Sequence, residues 1–298
     1  VRAALVIHPG ALGDVLLAVP ALRALRNAGF SITIAAQPRI GALLVTLQVA
    51  ERAVPFETLG LETLFTDVPV RPDAPLTRHL SEAGRVVCWF GARDAQFARR
   101  LGAKAANVVV APATTTTMPV WEHLLATVGG AADRRPLSVA GELADAGRAA
   151  LRAAGWDGAS RVLLVHPGAG GVSKRWPVEG FVEVLEAVDA TLVVHEGPAD
   201  TEAVRTFLAR SRRPVLSLTN PDLPTLSGVL SLCSAYLGND SGISHLSAAV
   251  GTQSVILFTE RTLPWLPWSP SVSPVTITTT HLIDEERLSV EHALRKLL

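Results

Sequence analysis

A seven-residue segment occurs twice in this chain. Leu5-Val6-Ile7-His8-Pro9-Gly10-Ala11 returns as Leu163-Leu164-Val165-His166-Pro167-Gly168-Ala169. Each copy is an apolar run that breaks into Pro-Gly and then enters a helical pattern. Such a run reads as a buried parallel strand feeding a helix, the opening unit of a doubly wound α/β domain. Two openings about half a chain apart imply two domains, which 298 residues accommodate at roughly 150 each.

The remaining pattern alternates strand and helix. In the first half, 31–36, 85–90 and 107–111 read as strands and 15–27, 92–101 and 120–128 as helices. In the second half, strands are expected at 191–195, 214–218, 235–237 and 254–258. Helices are expected there at 178–188, 201–210, 223–232 and 243–250. The turn-rich stretch 129–135 and the Ala-rich helical stretch 141–154 put the domain boundary inside 136–158, so the domains are taken as 1–150 and 151–298. A last amphipathic segment, 289–298, is expected to pack back on the N-terminal domain.

Charge narrows the partners. Lys plus Arg (27) balances Asp plus Glu (27), so no net field draws nucleic acid or a membrane from a distance, and an anionic partner must be held locally. Only three of the cations are lysines: Lys104, Lys174 and Lys296. Cys88 and Cys233 stand far apart in apolar runs, without metal or redox spacing, and read as buried free thiols. No secretory leader or membrane-spanning run is read in the chain, so a cytoplasmic protein is expected.

Three loops carry the chemistry. Gly10-Ala11-Leu12-Gly13-Asp14 follows the first strand. Gly10 and Gly13, taken as donor-binding, let a ligand approach the backbone, and Asp14 projects from the helix start, where it is placed to act as a base or to complement the first turn. The spacing is not G-x-G-x-x-G, which argues against a dehydrogenase. Gly168-Ala169-Gly170-Gly171-Val172-Ser173-Lys174-Arg175-Trp176-Pro177 follows the repeated strand. Its amides, the Ser173 hydroxyl and the Lys174 and Arg175 heads suit a diphosphate, although the P-loop order is absent. In Gly238-Asn239-Asp240-Ser241-Gly242-Ile243-Ser244-His245, Ser241 and Gly242 lie at a helix start able to hold phosphate, with His245 one turn in. Asp240 is either a ligand-facing acid or the N-cap of that helix. Between the last two loops, the strand end His195-Glu196-Gly197-Pro198-Ala199-Asp200 offers carboxylates, Glu196 first, to ribose hydroxyls, and Asp200 equally suits an N-cap.

Together these segments resemble glycosyltransferase family 9, the lipopolysaccharide-type heptosyltransferases. The likeness is strongest in residues 10–20, 166–177 and 238–251. It implies a GT-B fold, two Rossmann-like doubly wound domains facing across a cleft, with acceptor bound by the N-terminal domain and nucleotide-sugar donor by the C-terminal one. The implied reaction moves a heptose from ADP-heptose, with inversion, to a sugar hydroxyl of a lipid-linked lipopolysaccharide core or related cell-envelope glycan. No cofactor and no metal are implied, and no D-x-D element is present. By the same resemblance Asp14 is the general base and Lys174 compensates the leaving diphosphate. Asp240, Ser241, Gly242 and His245 hold the donor's phosphate and sugar. A GT-B transferase with another nucleotide-sugar donor, or a non-catalytic nucleotide-sugar binding homologue, is the alternative. The first 150 residues hold 15 basic against 12 acidic side chains and the remaining 148 the reverse, which suits an anionic acceptor and peripheral contact with the inner membrane.

Overall fold

The computed structural model describes residues 2–66, 73–279 and 281–298. The chain forms two compact units, Val1–Arg134 and Arg135–Leu298.

The first unit runs β1 (Arg2–Ile7), α1 (Leu12–Leu17), α2 (Val19–Asn27), β2 (Phe30–Ala36), α3 (Pro38–Thr46), β3 (Arg52–Pro55), α4 (Pro75–Glu82), β4 (Arg85–Cys88), α5 (Ala95–Gly102), β5 (Val108–Val110) and α6 (Val120–Val128). Its sheet has the order β3-β2-β1-β4-β5, all parallel. Leu5, Val6 and Ile7 of the central strand are wholly buried, as expected for a strand covered on both faces. α2 shows why the 15–27 pattern read as a helix. Val19, Ala21, Leu22 and Leu25 face the core, Arg23 reaches Asp133 at 3.6 Å, and Gly29 at φ +84° ends it. The expected single helix is two, joined at Ala18, with Pro20 in the first turn of α2.

The second unit runs α7 (Gly141–Ala153), β6 (Val162–His166), α8 (Val178–Leu185), β7 (Thr191–Glu196), α9 (Thr201–Arg210), β8 (Val215–Thr219), α10 (Leu223–Leu232), β9 (Ala235–Asn239), α11 (Gly242–Ala249), β10 (Ser254–Phe258), β11 (Val272–Thr276) and α12 (Asp284–Leu297). The sheet order is β11-β10-β9-β6-β7-β8, again all parallel. Counted within each unit the order is the same, 3-2-1-4-5, with a sixth strand in the second. In both, the winding reverses beside the first strand, between β1 and β4 and between β6 and β9. Ligands of open α/β sheets bind off the carboxyl ends of the strands at such a switch point.

Two expectations about the domains change. The units divide after Arg134 rather than at 150, because α7 packs backbone to backbone on α10. A Cβ on Gly228 would stand 1.8 Å from the Leu143 carbonyl oxygen, and one on Gly147 would stand 2.3 Å from the Gly228 carbonyl carbon. The last helix starts at Asp284 rather than at 289, and its Val290 and Leu294 join the C-terminal unit's own core with Phe181, Leu237 and Leu257. Among the described residues no helix is long and apolar enough to cross a membrane.

Candidate active site

In the first unit the β1–α1 loop is built on a buried histidine. His8 Nδ1 accepts from the Gly10 N–H at 3.2 Å, and its ring meets the Trp89 edge with centroids 5.5 Å apart. Burial pushes the imidazole down to about 4, against the opposing pull of the Asp14 charge. Nδ1 is therefore the bare nitrogen, and Nε2, which finds no hydrogen-bond partner, carries the proton. A Cβ on Gly10 would lie 2.7 Å from His8 Cε1 and 2.8 Å from Asp14 Cβ, so glycine is what lets the loop close over the ring. Gln37, between β2 and α3, steadies it by donating to the Gly10 carbonyl at 3.3 Å.

Asp14, half-buried, is the third residue of α1 and accepts from the Ala11 N–H at 3.2 Å. It thus complements the first turn, one of the two roles left open by the sequence, and its carboxylate sits at the β1/β4 switch point. Gly13 beside it is buried. A cavity of about 420 Å³ opens at the same end of this sheet, lined by Phe65, Trp89, Phe90, Arg93, Ala111 and Thr114.

In the second unit the loops after β6 and β9 are tied together by Asn239, a residue not singled out from the sequence. Its Oδ1 accepts from the Trp176 N–H at 2.9 Å, and its Nδ2 donates to the Pro167 carbonyl at 2.8 Å. One buried amide therefore holds both ends of the 167–176 loop on the tip of β9. The signal was its place in the Gly-Asn-Asp-Ser-Gly run: a buried asparagine at a strand end must satisfy both faces of its amide. Gly238 before it leaves room for Tyr236, whose hydroxyl would be 2.3 Å from a Cβ there.

That staple brings three expected residues into contact. Lys174 Nζ donates to Asp240 Oδ2 at 2.7 Å, and His245 Nε2 lies 3.4 Å from Asp240 Oδ1. Asp240 is 3% exposed and the Lys174 side chain 38%. Burial alone would raise the Asp240 carboxyl, but the hydrogen bonds and charges of His245 and Lys174 outweigh it and hold it below the usual carboxylate range. Asp240 does not cap α11. Ser241 does, its Oγ accepting from the Ser244 N–H at 3.3 Å, so Gly242 is the first helical residue.

The flanking residues differ in setting. Ser173 is exposed, and Arg175, half-buried, donates from Nη2 to the Ala169 carbonyl at 3.4 Å while its buried Nε finds no partner. Glu196 ends β7 half-buried. Asp200 stands at the N-cap position of α9 but turns its carboxylate to the Gly197 N–H at 3.1 Å instead of the helix. Both cysteines are buried free thiols, raised by burial to about 12.

The sequence profile of glycosyltransferase family 9 (heptosyltransferase) matches residues 121–294. The chain belongs to glycosyltransferase family 9. It is therefore a heptosyltransferase-like glycosyltransferase with an α/β fold. The family's solved structures share that fold over nearly the whole chain. The ADP-heptose lipopolysaccharide heptosyltransferase II of E. coli is 19% identical, with a TM-score of 0.76 over 99% of this chain and 98% of that one. A family 9 glycosyltransferase of Veillonella parvula is 16% identical, at 0.73 over 99% and 95%. The E. coli heptosyltransferase WaaC with ADP is 16% identical, at 0.67 over the full length of both. No curated protein matches the chain significantly in sequence.

Proposed function

We propose that this transferase moves a heptose from ADP-heptose to a sugar hydroxyl of a lipopolysaccharide core or related cell-envelope glycan, with inversion and without a metal in the chemistry. The observation that carries the proposal is the Lys174–Asp240–His245 cluster beside the start of α11. The E. coli relatives are an ADP-heptose enzyme and one with ADP bound, which supports an ADP-activated donor here.

In this scheme the first unit binds the acceptor and the second the donor. Asp14 takes the proton of the acceptor hydroxyl as its oxygen attacks the anomeric carbon. ADP departs from the opposite face, and that single displacement inverts the configuration. Negative charge grows on the diphosphate as the bond breaks. Lys174, fixed by Asp240, meets that charge with its remaining N–H groups, and Arg175, Ser173, Ser241 and the Gly242 amide add donors. Asp240 and His245 hold the lysine and face the donor sugar, while Glu196 takes ribose hydroxyls. Gly10 and Gly13 shape the β1–α1 loop, packed on His8 and buried respectively, and the donor meets its backbone there. The aromatic cavity at the same end of the first unit's sheet suits an acceptor sugar face; the acceptor in this reading is lipid-linked, with peripheral contact at the inner membrane.

The test is ADP-heptose turnover on a core oligosaccharide. Release of ADP that persists in EDTA, with a product linkage of opposite anomeric configuration by NMR, is expected. Retention, or turnover abolished by chelation and restored by a divalent ion, would refute the mechanism. Activity with a UDP- or GDP-sugar alone would replace the donor.

A further inference from the structure

Between Glu82 and Glu122 the chain carries five cations, Arg85, Arg93, Arg99, Arg100 and Lys104, and one acid, Asp94. That acid is taken up by α5, whose first turn it caps by accepting from the Gln96 and Phe97 N–H groups at 2.8 and 2.9 Å. α5 turns Phe97 and Leu101 into the core of the first unit. Its outer face carries Ala95, Gln96, Arg99 and Gly102, all exposed, with Arg93 exposed before the helix and Lys104 exposed after it.

The other cations of the unit show what sets this face apart. Arg23 pairs with Asp133, Arg26 with Glu51 and Arg52 with Glu82. Arg85 and Arg100 donate to the Val128 and Leu64 carbonyl oxygens. Among the described residues the heads of Arg93, Arg99 and Lys104 meet no acid and no hydrogen-bond acceptor. An aromatic ring is exposed beside them. Phe65, 39% exposed, lies against Phe97 with centroids 4.8 Å apart and lines the cavity of about 420 Å³ together with Arg93. The basic face therefore runs up to the mouth of that cavity.

We propose that the outer face of α5, from Arg93 to Lys104, docks on an anionic lipid bilayer and sets the mouth of the cavity at the membrane surface. This rests on the reading above, in which the acceptor is lipid-linked and the cavity takes its sugar. Cations in a row are drawn to lipid phosphates, and a ring at their edge enters the boundary between headgroups and acyl chains. The chain as a whole has no net charge, so only a local excess of this kind can orient it on such a surface. A protein partner fits the face less well. Between the cations it offers Ala95, Gln96 and Gly102, without the large side chains on which a protein interface is anchored.

The test is flotation of the intact protein with vesicles of phosphatidylcholine alone, or of phosphatidylcholine and phosphatidylglycerol in equal parts. Binding to the mixed vesicles only, falling as salt rises, is expected. Each cation at such a surface is worth about fivefold in partition, so Arg99→Gln/Lys104→Gln should bind the mixed vesicles roughly 25-fold more weakly. Arg205→Gln/Lys296→Gln removes two exposed cations of the second unit, the same change in net charge, and should bind as wild type does. Circular dichroism checks the fold of each variant. Heptose transfer to a lipid-free core oligosaccharide, measured in parallel, should be the same in Arg99→Gln/Lys104→Gln as in wild type. Vesicle binding as expected with no transfer by any of the proteins would refute the transfer reading alone. Equal binding to both kinds of vesicle, or Arg99→Gln/Lys104→Gln floating like wild type, would overturn the proposal. So would a matching loss of transfer to the lipid-free acceptor, which would give the two cations to the sugar.

Discussion

Residues 5–11 and 163–169 differ at only two of seven positions, Val6/Leu164 and Ile7/Val165, yet the loops they feed carry opposite charges. After His8-Pro9-Gly10 the chain enters α1 at Leu12, so the first polar side chain it presents is Asp14, an acid at a helix start. After His166-Pro167-Gly168 the chain runs on to Val178 before the next α-helix, and the extra length carries Lys174 and Arg175 to the tip of β9. Loop length, not the strand, decides whether the tip presents a carboxylate or a cation. The two histidines show the same divergence. His8 meets Trp89 edge-on and props Gly10, whereas His166 meets His195 and Asp200.

The sharpest way to break the comparison is to remove the charge from the first loop. Asp14→Asn keeps an acceptor for the Ala11 N–H, so the fold should hold while turnover of ADP-heptose falls by about 10²–10⁴-fold. Equal turnover in the variant would take Asp14 out of the reaction. Next is the pH dependence that His8 imposes. Its folded value near 4 lies below the 6.5 of an unperturbed histidine, so the unfolded chain takes up a proton that the folded one refuses. Its contribution is intact above pH 6.5 and is lost as the pH falls toward 4, by roughly 3 kcal/mol in all. Urea unfolding from pH 7.5 to 4.5 should therefore fall less steeply in His8→Asn than in wild type, and parallel curves would contradict this assignment.

Smaller effects separate the paired glycines. Gly168→Ala collides with Asp200 at 2.0 Å and Gly10→Ala with His8 at 2.7 Å. Each should lower stability by about 1–3 kcal/mol, with Gly168→Ala the worse in chemical denaturation; the reverse order would mean the second loop is the looser. Smallest is Ser241→Ala, which deletes the cap of α11 and should lower stability by about 1 kcal/mol. No change in midpoint would show that the cap is dispensable.

What the sequence made legible follows from burial. β1, β2, β4, β6, β7, β9 and β10 are covered on both faces and read as plain apolar runs. β3 is missed because its four residues, Arg52 to Pro55, are at least partly exposed. β11 is missed because Pro274 interrupts an edge strand. The domain boundary was misjudged because α7 belongs with α10 through two glycines, and a close backbone crossing leaves no hydrophobic period to read. In the site, the motifs named Lys174, Asp240 and His245, but their contact depends on Asn239, whose two hydrogen bonds span more than sixty residues. The His166–His195 pair had a visible trace, the same histidine at the same place in both repeats. Sequence alone could not show which neighbour each would find.

The division of labour between the two strand tips is tested most directly by calorimetric titration of ADP, in EDTA, into wild type, Asp14→Asn and Lys174→Ala. Asp14→Asn should bind ADP as wild type does, and Lys174→Ala should lose about 1.5–3 kcal/mol, the scale of a charged hydrogen bond. Unchanged affinity in Lys174→Ala, or affinity lost in Asp14→Asn, would contradict the assignment of the diphosphate to the second loop and the base to the first.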